Sequence, residues 1–185
     1  MLDAFAESVR TQQSMPVLDA GCGPGRVAAY LADRGLDARG VDISAAMIDA
    51  ARTAHPHLQF DEGCITALPM PDHCVGAVVY WYSIITTPPS ELLSVWQELD
   101  RVLAPGGQAL VAFQAGQGES VDRPDAYGSS TVLTLYRHST DAVITSLGDS
   151  GFDVRAEIQR QPELAHETTP QAFLWLARSD LSVPQ

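Results

Sequence analysis

The chain has 185 residues, 45% of them hydrophobic, which is enough for one domain with a single full core. Its eleven cationic side chains, all arginine, stand against 23 acidic ones for a net charge of −12, a balance that repels phosphate backbones and anionic lipids, so no nucleic-acid partner is expected. There is no apolar run long enough to span a bilayer, no basic segment ahead of an apolar one at the amino terminus, and neither C-x-x-C nor metal spacing among Cys22, Cys64 and Cys74; no membrane partner, no metal and a reduced, cytoplasmic setting are the expectations.

Leu2, Phe5, Ala6 and Val9 recur at i, i+3, i+4 and i+7 and predict a short amphipathic helix within residues 1–15. Val17–Asp19 is a first strand, and Gly25 to about Asp33 its crossover helix, closed by Gly35. Ala38–Asp42 is the second strand. Ser44 then caps a helix that turns Met47, Ile48 and Ala51 inward and stops at His55-Pro56. Leu58–Phe60 reads as a short, peripheral third strand, and Val75–Tyr82, the most β-prone stretch, as the central fourth. Ser90 is expected to cap a helix running to about Leu103 through Leu93, Trp96 and Leu99. Pro105-Gly106-Gly107 ends it, and Gln108–Phe113 is the fifth strand. After a polar loop, Gln114–Ser130, come Thr131–Tyr136, a helix from Ser139 to Ser150, and strands at Phe152–Ile158 and Ala172–Ala177. This alternation predicts an α/β fold: a doubly wound, mostly parallel sheet of about seven strands with helices on both faces. No repeat divides the chain, and residues 1–185 are expected to form a single domain.

The densest signal is Val17-Leu18-Asp19-Ala20-Gly21-Cys22-Gly23-Pro24-Gly25, followed seventeen residues after Gly25 by Asp42. Strand, glycine turn, helix, strand and acid is the order by which such a sheet holds a nucleoside at its carboxyl edge. The turn needs unusual dihedrals, and side chains there would collide with a ligand. A dinucleotide site wants G-x-G-x-x-G, which places the third glycine at 26; that position is Arg26, and Gly25 comes one residue early.

The segment instead resembles the first motif of the class I S-adenosylmethionine (SAM)-dependent methyltransferases, Asp-x-Gly-x-Gly-x-Gly. The resemblance runs from about Pro16 to Arg178 and is to the small-molecule type found in ubiquinone and menaquinone biosynthesis. Val41-Asp42-Ile43-Ser44 resembles the second-strand signature, which implies Asp42 on the ribose hydroxyls and Ile43 against the adenine. Gly63-Cys64-Ile65-Thr66-Ala67-Leu68-Pro69 resembles the third segment, where the family usually has Asp in place of Cys64; Ile65 still offers a backbone amide to the adenine ring. A lost neutral hydrogen bond is worth about 0.5–1.5 kcal/mol, too little to abolish binding. A second departure is Val75-Gly76, where the family often has Phe-Asp with the carboxylate supporting the glycine loop. The Glu98–Gly107 segment fits closely. The resemblance implies SAM as cofactor, with S-adenosylhomocysteine as product, and as cofactor-binding residues Asp19, Gly21, Gly23, Gly25, Asp42, Ile43, Cys64 and Ile65; Tyr80 on the central strand is expected on the cofactor side, and Arg26 is either on the methionine carboxylate or a surface cation.

The reaction implied asks the protein for alignment and exclusion of water, so an obligatory catalytic side chain need not exist. The candidates are Tyr82, in the Tyr80-Trp81-Tyr82-Ser83 end of the central strand, and His138, placed to take a proton from the acceptor near neutral pH. His55, His57, His73 and His166 read as surface or far-end residues. The Gln114–Ser130 loop and Tyr136–His138 are expected to govern a small-molecule acceptor and leave the cofactor alone. With sixteen residues ahead of the first motif, the acceptor pocket is expected to be open unless a second copy closes it in a homodimer. Two classes stay open: a small-molecule methyltransferase, or a SAM-binding protein without methyl transfer, for which the departures at Cys64 and Gly76 are the support.

Overall fold

Apolar runs at Val17–Ala20 and Val75–Trp81 bury both faces of their strands, which suits the middle of a sheet covered on two sides. The computed structural model describes residues 1–12, 15–124, 132–165 and 167–179. Its main sheet contains β1 (Val17–Ala20), β2 (Ala38–Asp42), β3 (Gln59–Glu62), β4 (Val75–Trp81), β5 (Leu103–Gln114), β8 (Phe152–Arg160) and β9 (Gln171–Arg178), in the order β3-β2-β1-β4-β5-β9-β8. β1 to β5 are parallel, and β9 runs antiparallel to both of its neighbours. A separate two-stranded ribbon pairs β6 (Ser120–Arg123) with β7 (Leu133–Tyr136).

The period of two divides the core. Val17, Ala77, Val79 and Leu110 face α1 (Leu2–Gln12), α2 (Arg26–Ala32) and α3 (Ala45–Ala54), against Phe5, Val9, Leu31 and Ile48. Leu18, Val78, Tyr80 and Val111 face α4 (Leu92–Val102) and α5 (Thr140–Asp149), against Trp96, Leu99, Val143 and Leu147. Trp96 is fully buried, and its indole N–H donates to Ser146 Oγ at 2.9 Å, so the largest core side chain ties α4 to α5 without an orphaned donor. The predicted fold class and the peripheral place of the third strand agree with this architecture.

Four local expectations are corrected. Ser90 caps nothing: Pro89–Glu91 form a 3-10 turn, and α4 starts at Leu92 behind Glu91, with no side-chain cap. Within α4, Leu92 is the buried residue, while Leu93 is 51% exposed. The helix ends at Val102, and Pro105-Gly106-Gly107 lie in a bulge inside β5. Val75 pairs with Leu103 but Ala77 with Gln108, so residues 104–107 loop out of the ladder, Gly106 at φ +73°. The polar stretch Gln114–Ser130 is partly regular, since Ser120–Arg123 pairs with Leu133–Tyr136. Residues 125–130 of that stretch, Thr131 and His166 lie outside the described residues.

Candidate functional site

β1, β2, β3 and β4 end on one edge of the sheet, and the strand order reverses between β1 and β4, so a crevice opens at their carboxyl ends. There the structure has a cleft of ≈ 830 Å³. Asp19, Gly21, Gly23 and Arg26 form one wall, Asp42 and Ile43 a second, Cys64 and Ile65 a third, and Trp81 and Tyr82 the floor of the far end. Nine of the twelve residues singled out from the sequence are thus brought together. The volume lies within the roughly 300–1,000 Å³ typical of small-molecule sites.

The glycine loop is held by backbone bonds and one carboxylate. Gly21 N–H and Cys22 N–H both donate to Val41 O, at 2.7 and 2.9 Å. Asp42 Oδ2 accepts from Gly23 N–H at 2.8 Å and Asp42 Oδ1 from Ser44 N–H at 2.9 Å, which braces the loop from the second strand. Ser44 in turn caps α3, accepting from Met47 N–H at 3.4 Å. The three loop glycines have left-handed φ of +77°, +52° and +81°, but they serve different spaces. A Cβ on Gly21 would lie 2.2 Å from Ser83 Cβ, and one on Gly25 would lie 2.6 Å from the Phe60 ring. A Cβ on Gly23 would meet nothing within 4 Å: this backbone faces the open cleft. The expected clash with a ligand therefore concerns Gly23, whereas Gly21 and Gly25 are required by the protein's own packing. Gly25 does not line the cleft; it is the residue before α2.

Asp19 is 1% exposed at the end of β1. Its Oδ2 accepts from Ala28 N–H at 2.9 Å, within the first turn of α2, and its Oδ1 is buried without a partner. Burial pushes its carboxyl up to about 7; the Ala28 amide opposes this, and the Asp42 charge adds to it. The unfolded chain ionises this group near the ordinary value of 3.8 and the folded chain near 7. The folded state therefore binds the extra proton between those values, and stability falls as pH rises across that window, then levels off. Asp19→Asn removes the effect, so its melting temperature relative to wild type is expected to climb from pH 4 to pH 7 and stay constant above. A difference independent of pH, measured by differential scanning calorimetry, contradicts the burial argument.

At the end of β4 the alternation of side chains is broken by the backbone. Tyr80 points to α4, fully buried edge-on to Trp96 with ring centroids 6.0 Å apart, so the expected cofactor contact of Tyr80 is corrected to a core role. Strand periodicity would send Tyr82 the same way, but Tyr82 has φ +60°, which turns its half-buried ring to the cleft beside Trp81 and Phe173 at 5.9 and 6.4 Å. A non-glycine residue in this conformation costs about 1–3 kcal/mol and persists where its surroundings hold it. Burial raises the Tyr82 hydroxyl pKa, with Arg160 opposing.

His138 is also corrected. It is 1% exposed; its Nε2 lies 3.0 Å from Ile84 O and its ring lies between Phe113 and Tyr136, away from the cleft. Burial lowers its pKa. Its backbone N–H donates to Gln114 O and its carbonyl accepts from Gly116 N–H, so it is a core histidine that fastens Ile84 to the end of β5. Gly76 donates to Pro16 O at 2.9 Å, at the amino ends of β4 and β1, far along the strands from the glycine loop. The departure there leaves the loop untouched, and Asp42 does the bracing. Thr86, Thr87, Pro88 and Glu91 line the cleft without having been singled out; their place soon after β4, on the carboxyl edge, was the available signal.

A second hollow of ≈ 440 Å³ adjoins the first between α1, α2 and the β8–β9 edge, and Arg26, Val27 and Trp81 line both. Among the described residues there is no cluster of three or more metal-ligating side chains, and no helix is long and apolar enough to cross a membrane.

Residues 17–107 match the family model described as a methyltransferase domain. The chain is 35% identical over 114 residues to the malonyl-[acyl-carrier protein] O-methyltransferase of Salmonella typhimurium, an alignment covering 60% of this chain and 43% of that protein. It is 34% identical over 96 residues to the demethylmenaquinone methyltransferase of Renibacterium salmoninarum, covering 52% and 40%. The chain spans less than half the length of these curated relatives. A SAM-dependent methyltransferase structure from Methanosarcina mazei superimposes with a TM-score of 0.80 at 20% identity, covering 94% of this chain and 96% of that one, which shows the shared fold. A glycopeptide N-methyltransferase crystallised with SAM follows it with a TM-score of 0.69 at 19% identity, over 96% and 87% of the two chains. Residues 17–107 thus carry a methyltransferase domain, and the chain has the fold of the class I SAM-dependent methyltransferases.

Proposed function

We propose that this chain moves a methyl group from SAM to a small-molecule acceptor. The observation that carries the reading is the cleft's division of labour: a bare glycine backbone at Gly23, a carboxylate at Asp42, and Ile43 left 70% exposed at the rim. A ligand that covers this side chain gains the burial of its apolar surface. The residues present fit the cofactor. Asp42 uses one lone pair on each oxygen for Gly23 and Ser44, which leaves acceptor capacity for two ribose hydroxyls. Ile43 and Ile65 offer apolar faces to a purine, and the unpartnered Asp19 Oδ1 lines the same cleft. Arg26 has no salt-bridge partner among the described residues and suits the carboxylate of the cofactor's amino-acid end. Cys64 Sγ lies 3.0 Å from Thr66 Oγ1, so the position usually given to an acid keeps a polar tip at the cleft wall. When bound, SAM supplies a methyl group already activated on a sulfonium, with a neutral leaving group. What remains for the chain is to hold both partners and keep water out. We read residues 1–185 as one such domain, and the three free cysteines suit a reducing, cytoplasmic setting.

Ligand-induced stabilisation tests the cofactor. A ligand that binds only the native state stabilises it by mass action, about 2.7 kcal/mol at a hundredfold excess over Kd. S-Adenosylhomocysteine is expected to raise the melting temperature, and NAD and NADP at equal concentration are expected to leave it unchanged, because Arg26 replaces the glycine a pyrophosphate would need. The reverse pattern overturns the reading.

A further inference from the structure

We infer that the second hollow is the acceptor site and that it takes a neutral, flat, ring-bearing molecule; this rests on the cofactor reading of the first cleft. Continuity is the first argument. Arg26, Val27 and Trp81 line both spaces, so no more than these three side chains divides the second hollow from the first. The walls are the second. Trp81 and Phe173 stand 5.6 Å apart at an interplanar angle of 45°, and Val27, Leu2 and Ile158 complete an apolar surround, Ile158 being 46% exposed on β8. The two touching rings form one aromatic corner of the hollow, against which a flat ring can stack on one and meet the other obliquely. Charge is the third argument. Asp3 is tied to the Tyr30 hydroxyl and to Arg34 at 2.8 Å, and Arg160 to Glu167 at 2.7 Å, so these groups are already compensated. Arg26 stands at the boundary and is engaged from the cofactor side. An anion entering the hollow would lose its water without gaining a partner.

Equilibrium dialysis of 1-naphthol and 1-naphthoate tests this, with and without saturating S-adenosylhomocysteine. With S-adenosylhomocysteine bound against Arg26, naphthol is expected to bind at least tenfold more tightly than naphthoate, and no less tightly than it does without S-adenosylhomocysteine. Ile158→Glu, a change at a half-exposed strand position, is expected to weaken naphthol at least tenfold while S-adenosylhomocysteine affinity stays within twofold. Equal binding of the two probes, displacement of naphthol by S-adenosylhomocysteine, or indifference to Ile158→Glu overturns the assignment of the hollow. A wild-type protein that ignores S-adenosylhomocysteine instead overturns the methyl-transfer reading, and the word acceptor with it.

Discussion

Asp42→Ala is expected to weaken S-adenosylhomocysteine binding by about a hundredfold or more. Two charge-assisted hydrogen bonds to ribose hydroxyls are worth about 1.5–3 kcal/mol each, and about 1.4 kcal/mol is a factor of ten. The structure adds a second loss. The same carboxylate holds Gly23 N–H and Ser44 N–H, so its removal frees the glycine loop as well as the ligand. Asp42→Asn separates the two contributions. Its amide keeps one acceptor oxygen, and the nitrogen cannot accept from the backbone on the other side. Its affinity is therefore expected to fall between those of wild type and the alanine variant. Calorimetric titration gives the affinities and thermal melting reports the fold. An alanine variant that binds S-adenosylhomocysteine as tightly as wild type sinks the assignment of this acid.

Gly21→Ala is expected to damage the fold itself. The new Cβ would stand 2.2 Å from Ser83 Cβ, an atom fixed to the backbone rather than the end of a flexible side chain, and φ +77° disfavours any Cβ. A left-handed alanine costs about 1–2 kcal/mol and overpacking about 1–3 kcal/mol more, which at 2–4 °C per kcal/mol lowers the melting temperature by roughly 5–20 °C. Adding Ser83→Gly should restore the part due to the clash and leave the part due to φ. Gly23→Ala is the contrast: its Cβ enters open cleft, so binding should fall much further than stability. Equal melting temperatures for Gly21→Ala and Gly23→Ala contradict this division.

Local chemistry made much of the molecule legible in the sequence. Val17–Asp19, the glycine spacing and Asp42 needed only strand order and turn dihedrals, because a glycine turn between a strand and a helix has few alternatives. Asp19, Gly21, Gly23 and Asp42 reach the cleft, Val17 and Leu18 fill the core, and Gly25 lies off the cleft with its hydrogen demanded by Phe60 from β3. The apolar periods likewise specified the layers: alternate residues of β1 and β4 divide between the two faces as period two requires.

What periodicity could not decide lies where the chain departs from its regular elements. Tyr80 and Tyr82 share a strand face by spacing, and only the left-handed φ of Tyr82, held by packing against Trp81 and Phe173, separates a core tyrosine from a cleft tyrosine. His138 sits in sequence as a loop histidine beside a helix cap, yet the carbonyl of Ile84 and the ring of Phe113, both far away along the chain, enclose it together with the neighbouring ring of Tyr136. Gly76 stands where an acid supporting the glycine loop is expected, but it lies at the amino end of β4, next to Pro16. Sequence by itself determined the sheet, its helices and the residues at the carboxyl edge, since burial and turn geometry act through near neighbours. Tertiary structure alone decided which aromatic and which titratable side chains meet the ligand space, because their surroundings come from strands β5, β7, β8 and β9, folded back from far along the chain.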